Sequence, residues 1–245
     1  QFRFADLLNN PTEKGLKYNK FLIWFFKNIK YSKGKYRFKL INLSDNLKYF
    51  HDIFKQSINV NYGKVNFPRF IRLNKYLAKF LGFYVSEGYA RKNKYTSEVF
   101  LAARVKKMQD DMKESIKKGL KLKTRENWRG IAIDSQIAYY LIKDVLKAGI
   151  GSYNKEVPEI IFTASNDIKL SFLEAYFLGD GHLGKDKIVL TTVSRKLVTG
   201  LILLLRMLGI EKIGIYKQKN IYRINIYESL PFAKIKEKNE KRRNS

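Results

Sequence analysis

The chain has 245 residues, with 49 Lys and Arg against 22 Asp and Glu, and its formal net charge is +27. An excess of this size predicts a polyanionic partner, most simply nucleic acid. No apolar run approaches the roughly 20 residues of a membrane-spanning helix, so we expect no membrane association. The absence of cysteine excludes disulfides, thiolate zinc sites and cysteine nucleophiles, and a cytoplasmic location is the default.

Residues 1–66 are expected to form an N-terminal extension. The apolar run at 21–26 predicts a buried helical segment, and Ser44 is typical of the N-cap of a short helix. Residues 35–41 alternate cations with apolar residues, which is the period of a half-buried strand. The cations of that strand are Lys35, Arg37 and Lys39. They could follow a DNA backbone or simply face water, and the pattern does not decide between the two.

From residue 67 onward, one order of elements occurs twice. The first copy, over 67–150, is expected to contain a helix at about 74–88, a strand at 96–104, a helix at 108–120, a strand or hairpin at 123–134 and a helix at 136–146. The second copy, over 151–236, is expected to contain a helix at about 167–181, a strand at 187–193, a helix at 196–208, a hairpin at 213–227 and a short helix near Pro231. Residues 237–245 are expected to be a disordered charged tail.

Each copy begins with an apolar helical segment, at 80–88 and at 173–181, in which small residues lie four apart. The small residues are Gly82 and Ser86 in the first copy and Ala175 and Gly179 in the second. This spacing forms a groove that lets a second helix approach closely. Each segment ends in a carboxylate, Glu87 or Asp180, followed by a glycine suited to a left-handed C-cap. An acid at the negative end of a helix costs about 0.3–1 kcal/mol, so two of them indicate a functional requirement.

These two segments resemble the motif of the LAGLIDADG homing endonucleases, and in particular the endonuclease domains within inteins of archaeal DNA polymerases. The matching segments keep the family's order and lie at 81–91, 155–162, 172–181, 194–210 and 222–232. The resemblance implies an α+β fold of two pseudo-symmetric αββαββα repeats, with the motif helices at the axis and antiparallel strands in two saddle-shaped sheets. It also implies a monomer that binds double-stranded DNA at a long specific site.

The resemblance further implies hydrolysis of both DNA strands across the minor groove, with Mg²⁺ as cofactor. Glu87 and Asp180 would then be the catalytic metal ligands, because Mg²⁺ prefers carboxylate, water and phosphate oxygens. The main-chain carbonyls of Ser86 and Gly179 would complete the shell. Mn²⁺ is expected to substitute for Mg²⁺.

Two lysines are candidates for a further catalytic role. Lys155 begins a Lys-x-x-Pro segment that lies 25 residues before Asp180. By resemblance, a lysine here would polarise the attacking water or stabilise charge, although a chain this rich in lysine could place one there by chance. Lys219 is a weaker candidate for a symmetry-related role. His182 could hold a water near the site, but a histidine in a loop more often faces solvent.

The hairpins of the two copies are expected to read the DNA. Three residues of the second hairpin, Arg223, Asn225 and Tyr227, share one strand face, and Arg125, Asn127 and Arg129 occupy a comparable place in the first copy. Arg and Asn suit the edges of guanine and adenine in the major groove. The same residues could also form ordinary solvated faces. A long site of this kind should make binding steeply dependent on salt.

The sequence therefore predicts a site-specific double-strand DNA endonuclease. The alternative is a non-cleaving LAGLIDADG protein, either a maturase acting in RNA splicing or a DNA-binding regulator. The presence of both acids favours the enzyme. Protein self-splicing is not expected, because the chain does not begin with Cys, Ser or Thr and contains no Thr-x-x-His. The chain would then be an endonuclease portion of an intein, or a free-standing or intron-encoded enzyme.

Overall fold

The computed structural model describes residues 71–93 and 96–232, together with the backbone of four short strands between residues 29 and 67. The four strands are β1 (Ile29–Ser32), β2 (Lys35–Phe38), β3 (Val60–Tyr62) and β4 (Val65–Phe67). β1 pairs with β2 in an antiparallel hairpin, and β3 pairs with β4 in a second two-stranded sheet. The strand predicted from the alternating cations is therefore present as β2. The helices expected at 21–26 and after Ser44 lie outside the described residues.

The chain divides into two compact units, with the boundary after Val60. Within the second unit, the first set of elements begins with the predicted motif helix. Its elements are α1 (Lys75–Glu87), β5 (Gly88–Lys92), β6 (Ser97–Ala102), α2 (Lys106–Gly119), β7 (Arg125–Asn127), β8 (Gly130–Ile133) and α3 (Gln136–Tyr140). The helix expected over 136–146 changes character after α3, because Leu141–Val145 continues it as a π-helical turn.

The second set of elements follows a 3₁₀ turn at Ser152–Asn154 and, after one short additional helix, repeats the first six elements of this order. Its elements are α4 (Glu159–Phe162), α5 (Asn166–Asp180), β9 (Gly181–Leu183), β10 (Ile188–Thr192), α6 (Arg195–Met207), β11 (Ile213–Gln218) and β12 (Ile221–Ile226). The helix expected near Pro231 is absent up to residue 232, where the described chain ends in a turn. No helix of the described residues is long and apolar enough to cross a membrane.

The two four-stranded sheets have the same topology. The first has the spatial order β5-β6-β8-β7, and the second has the order β9-β10-β12-β11, with all neighbouring strands antiparallel. In each sheet the second strand after the motif helix pairs with the last strand of the following hairpin. The fold is therefore α+β and consists of two αββαββ repeats, which confirms the predicted fold class. The strands β5 and β9, directly after the motif helices, belong to the predicted αββαββα pattern, but the sequence analysis assigned no residues to them.

The core is centred on the contact between α1 and α5. Phe80, Phe83 and Phe172 are fully buried there. A Cβ atom at Gly82 would overlap the carbonyl oxygen of Phe172 and lie 2.9 Å from the Cβ of Ala175. The helices thus approach backbone to backbone at the small residues, as the spacing predicts.

The glycines that follow the two carboxylates are not left-handed caps. Gly88 has φ −92° and ψ 154°, and Gly181 has φ −106° and ψ 158°, so both are extended. The predicted cap conformation was wrong, because each helix passes directly into a strand. Glycine is still required at both positions. A Cβ at Gly88 would lie 2.6 Å from the carbonyl oxygen of Tyr84, and one at Gly181 would lie 2.6 Å from that of Phe177.

Candidate active site

Glu87 and Asp180 are the last residues of α1 and α5. The helices touch at their ends, since a Cβ at Gly179 would overlap the Oγ of Ser86 and lie 2.8 Å from the Cγ of Glu87. Both carboxylates are half-buried. Two acids at two adjacent negative helix ends form an environment that favours a bound cation.

The phenol of Tyr176 lies in the field of both acids. Burial raises its pKa well above the ordinary value, and the charges of Asp180 and, to a smaller extent, Glu87 raise it further. Its hydroxyl donates to the carbonyl oxygen of Thr191 at 2.6 Å, and the Oγ1 of Thr191 donates to the carbonyl oxygen of Asp180 at 3.0 Å. Tyr176 therefore stays neutral and fixes the backbone at the end of α5 against β10.

Lys155 is buried near Glu87 and Asp180, with 3% of its surface exposed. Its Nζ donates to the carbonyl oxygen of Tyr84 at 2.5 Å and lies 3.2 Å from the centroid of the Tyr84 ring. Burial lowers the pKa of Lys155 to about 7, although the charge of Asp180 acts in the opposite direction. Near neutral pH this amine therefore exists in both protonation states.

Ser194, which the sequence analysis placed at the start of a matching segment but not in the site, holds Lys155 in place. It is fully buried, and its Oγ donates to the carbonyl oxygen of Lys155 at 2.6 Å. The Oγ of Ser194 also accepts a hydrogen bond from the backbone N–H of Leu197 at 3.3 Å, which makes Ser194 the N-cap of α6. A serine before a predicted helix could have identified the cap, but not its contact with Lys155.

The other predicted catalytic residues lie in different surroundings. Lys219 is exposed in the turn between β11 and β12, with a left-handed φ of 54°. His182 is exposed in β9. The Oγ of Ser86 donates a hydrogen bond within α1, to the carbonyl oxygen of Gly82 at 3.0 Å. The described residues contain no group of three or more His, Asp or Glu side chains that could hold a metal ion.

The predicted DNA-reading residues of the first hairpin already have protein partners. The guanidinium of Arg125 contacts two carboxylates, at 2.9 Å from Asp134 and 3.1 Å from Glu98. The Oδ1 of Asn127 accepts from the backbone N–H of Arg129 at 2.8 Å, so it shapes the turn. The Arg129 guanidinium lies over the ring of its exposed neighbour Trp128, 4.6 Å from the centroid. A base contact by Arg125 or Asn127 must therefore replace or share these bonds.

The predicted DNA-reading residues of the second hairpin have fewer protein partners than those of the first. Arg223 is exposed and has no ion-pair partner among the residues that the structure describes. Asn225 is buried and its Nδ2 donates to the hydroxyl of Tyr227 at 3.4 Å, while Tyr227 is 42% exposed. Of the cations predicted in the N-terminal extension, Lys35 and Arg37 belong to β2, where only the backbone is described. Lys39 lies outside the described residues.

Comparison with known proteins identifies relatives of this chain. Residues 167–239 match the model of the LAGLIDADG-like domain. A DNA polymerase of Thermococcus sp. (strain GE8) is 38% identical over 182 residues, which cover 72% of this chain and 10% of the polymerase. A DNA polymerase of Thermococcus kodakarensis is 36% identical over 174 residues, which cover 69% of this chain and 10% of the polymerase. The chain thus spans about a tenth of the length of these curated relatives.

Among solved structures, the chain is similar to I-DmoI in complex with DNA and Mn, at 16% identity and a TM-score of 0.48, covering 63% of this chain and 90% of that one. It is also similar to full-length DUF199/WhiA from Thermatoga maritima, at 14% identity and a TM-score of 0.45, covering 69% of this chain and 54% of that one. The sequence matches show that residues 167–239 carry a LAGLIDADG-like domain and that the chain is homologous to part of archaeal DNA polymerases.

Proposed function

We propose that the chain is a homing endonuclease that hydrolyses both strands of double-stranded DNA at a long specific site, with Mg²⁺ as cofactor. The observation that carries this proposal is the packing of α1 against α5, which brings Glu87 and Asp180 to adjacent helix ends. The LAGLIDADG-like domain match and the net charge of +27 support a DNA substrate. Both motif acids are present, which favours cleavage over binding alone.

The residues at the helix ends fit a hard divalent cation. Glu87 and Asp180 would hold it, with the main-chain carbonyls of Ser86 and Gly179 as further oxygen donors. Mg²⁺ usually keeps several waters and binds through one or two carboxylates plus substrate phosphates, so two protein carboxylates suffice. When bound, the ion would polarise the phosphate and activate a water, and Mn²⁺ should replace it.

The chain's own groups would assist this chemistry. Because the pKa of Lys155 is about 7, its Nζ can hold or release a proton at neutral pH. We assign to Lys155 the polarisation of the attacking water or the stabilisation of charge on the phosphate. Its bond to the carbonyl of Tyr84 keeps the amine beside the end of α1. Lys219 has weaker support, because it lies in the exposed turn between β11 and β12.

DNA recognition would use both sheets, one for each half of the site, in a monomer with internal pseudo-twofold symmetry. Direct base contacts are proposed for the hairpin residues Arg125, Asn127, Arg129, Arg223, Asn225 and Tyr227. Contacts with the DNA phosphate backbone are proposed for Lys35, Arg37 and Lys39 of the extension. The repeats would occupy 67–150 and 151–236. The match to about a tenth of each DNA polymerase is what an intein-borne element would show.

We expect the protein to act in the cytoplasm.

The test is cleavage of a duplex pool with a randomised central segment by the purified protein, with Mg²⁺ and separately with EDTA. Recovery of one long cut motif only with Mg²⁺ is the expected result, and the same reaction with Mn²⁺ should yield the same motif. Salt-sensitive binding without cutting under any metal condition would contradict the proposal. That outcome would instead favour a maturase or a DNA-binding regulator, and RNA binding would be measured next.

A further inference from the structure

Five side chains on the first sheet form a charged network that catalysis at the helix ends does not use. Arg125 of β7 donates through Nε to the Oδ2 of Asp134 at 2.9 Å and through Nη2 to its Oδ1 at 3.2 Å. The same Nη2 donates to the Oε1 of Glu98 at 3.1 Å. The other oxygen of Glu98 accepts from the Nε of Arg91 at 2.8 Å and from the hydroxyl of Tyr89 at 3.2 Å.

The network lies on the sheet face that α2 does not cover. Arg91 is paired with Glu98 across β5 and β6, and side chains alternate between faces along each strand. Glu126, the residue after Arg125, points the other way, since its carboxylate meets Lys113 of α2 at 2.9 Å. Arg125 and Glu98 therefore share the open face, where the proposed function places DNA.

The guanidinium of Arg125 has few donors left for a base. Arginine offers its N–H groups in a rigid fork, and a bidentate contact uses parallel N–H bonds on two different nitrogens. Asp134 occupies Nε and Nη2, and Glu98 occupies the second N–H of Nη2. The remaining N–H groups are both on Nη1. Arg125 can therefore contact guanine bidentately only after it has released a carboxylate.

Asp134 is the carboxylate that can be released. Its side chain is 55% exposed, whereas that of Glu98 is 11% exposed. Glu98 also keeps Arg91 and Tyr89 as partners when Arg125 moves. The Arg125–Asp134 pair is bidentate, but both side chains are more than half exposed, so solvent screens the pair and a base edge that offers the same bidentate geometry can replace it. The second sheet has no equivalent restraint among the described residues, since Arg223 has no carboxylate partner there.

We propose that Asp134 is a specificity-determining residue of the first sheet, which competes with DNA for Arg125 and so disfavours sequences that lack a bidentate acceptor at that position. The inference rests on the proposed function, because it requires DNA on the open face. The Asp134 carboxylate is displaced from Arg125 only by a matching base edge, so a sequence without that edge pays for a lost ion pair. The first sheet would therefore discriminate more sharply at the base position of Arg125 than it would with an unrestrained arginine.

The experiment measures DNA affinity by fluorescence anisotropy in EDTA, where cutting does not interfere. The probes are a duplex pool with a randomised centre and the sequence that wild-type protein selects from that pool. The variants are Asp134→Asn, Arg125→Gln and the double variant. The matched control is Asp110→Asn, which removes an exposed acid that pairs with Lys106 on α2. Circular dichroism checks that each variant folds.

Asp134→Asn is expected to tighten binding of the random pool by roughly two- to fivefold and binding of the selected sequence by less, so that discrimination falls. In the Arg125→Gln background the same change should have no effect, because the competition acts through Arg125. Equal tightening in that background, or by Asp110→Asn, would overturn the inference, since net charge alone would explain it. Unchanged or weaker pool binding would also overturn it. If the wild type binds no DNA, the proposed function fails and the inference fails with it.

Discussion

The amino group of Lys155 donates a hydrogen bond to the main-chain oxygen of Tyr84 at 2.5 Å, across 71 residues of sequence. This bond joins the start of the second repeat to the last turn of α1, next to Glu87. Because Lys155 is buried, its protonation affects both the stability of the fold and the charge beside the carboxylates.

The free energy of unfolding should therefore depend on pH through Lys155. Its pKa is about 7 in the folded chain, whereas an unperturbed lysine has a pKa of about 10.4. Between these values the unfolded chain binds more protons than the folded chain, so stability should rise as pH increases through this window. Urea unfolding of the wild type and of Lys155→Met, measured from neutral pH to just below the pKa of an unperturbed lysine, checks this pH dependence. A parallel rise in both proteins would contradict the assignment.

Ser194→Ala should lower the free energy of unfolding by about 1–3 kcal/mol, because it removes an N-cap and leaves the buried carbonyl of Lys155 without its hydroxyl donor. Cleavage should fall as well, since Lys155 is then less well positioned. Ser165→Ala is the matched control. Ser165 precedes α5 but is exposed and makes no side-chain cap bond. Equal losses from the two substitutions would show that the contact with Lys155 is unimportant.

Gly82→Ala and Gly179→Ala should each destabilise the fold by at least about 1–3 kcal/mol, because the added methyl group enters backbone or side-chain atoms of the facing helix. Gly179→Ala should also impair cleavage by moving Glu87. Gly214→Ala in β11 is the control, because the atoms nearest to its Cβ would belong to side chains, those of Tyr216 at 3.1 Å and Tyr227 at 3.4 Å. Thermal unfolding measures all three, and wild-type stability of Gly82→Ala would refute the close helix contact.

Arg223→Gln should weaken binding of the selected DNA sequence by roughly 1–3 kcal/mol and relax specificity at one base position, if Arg223 contacts guanine. Its guanidinium is exposed and makes no ion pair in the described part of the chain, so no internal bond has to break first. Arg206→Gln, at an exposed position of α6, is the control. Anisotropy titrations at several salt concentrations give both affinity and salt dependence. Identical losses for the two variants would indicate a general charge effect.

Much of the fold could be predicted because its strongest patterns are local. The small residues of the motif helices, such as Gly82, predicted a close helix contact, and the apolar periodicity located α2 and α6 within a few residues. The conformations of Gly88 and Gly181 could not be predicted in this way. A glycine after a helix usually favours a left-handed cap, and only the strand that follows forces the extended form.

The site could be predicted only in part, for the same reason. The positions of Glu87 and Asp180 at the ends of the motif helices were predictable from the motifs. The bonds that fix Lys155 join residues 39 and 71 positions apart in sequence, so no local pattern reveals them. The partners of Arg125 could not be predicted either. Glu98 lies on another strand, and the sequence of one strand does not show which acids lie across from it.

Asp180→Asn gives the most direct test of the two carboxylates. With Mg²⁺ and the selected DNA sequence, cleavage should fall by at least roughly 100-fold, while affinity measured in EDTA should stay close to that of the wild type. Glu174→Gln is the matched control, because Glu174 lies on the same helix but pairs with Lys79 at 3.1 Å, and it should still cut. Normal cutting by Asp180→Asn would contradict the assignment of Glu87 and Asp180 as the catalytic metal ligands.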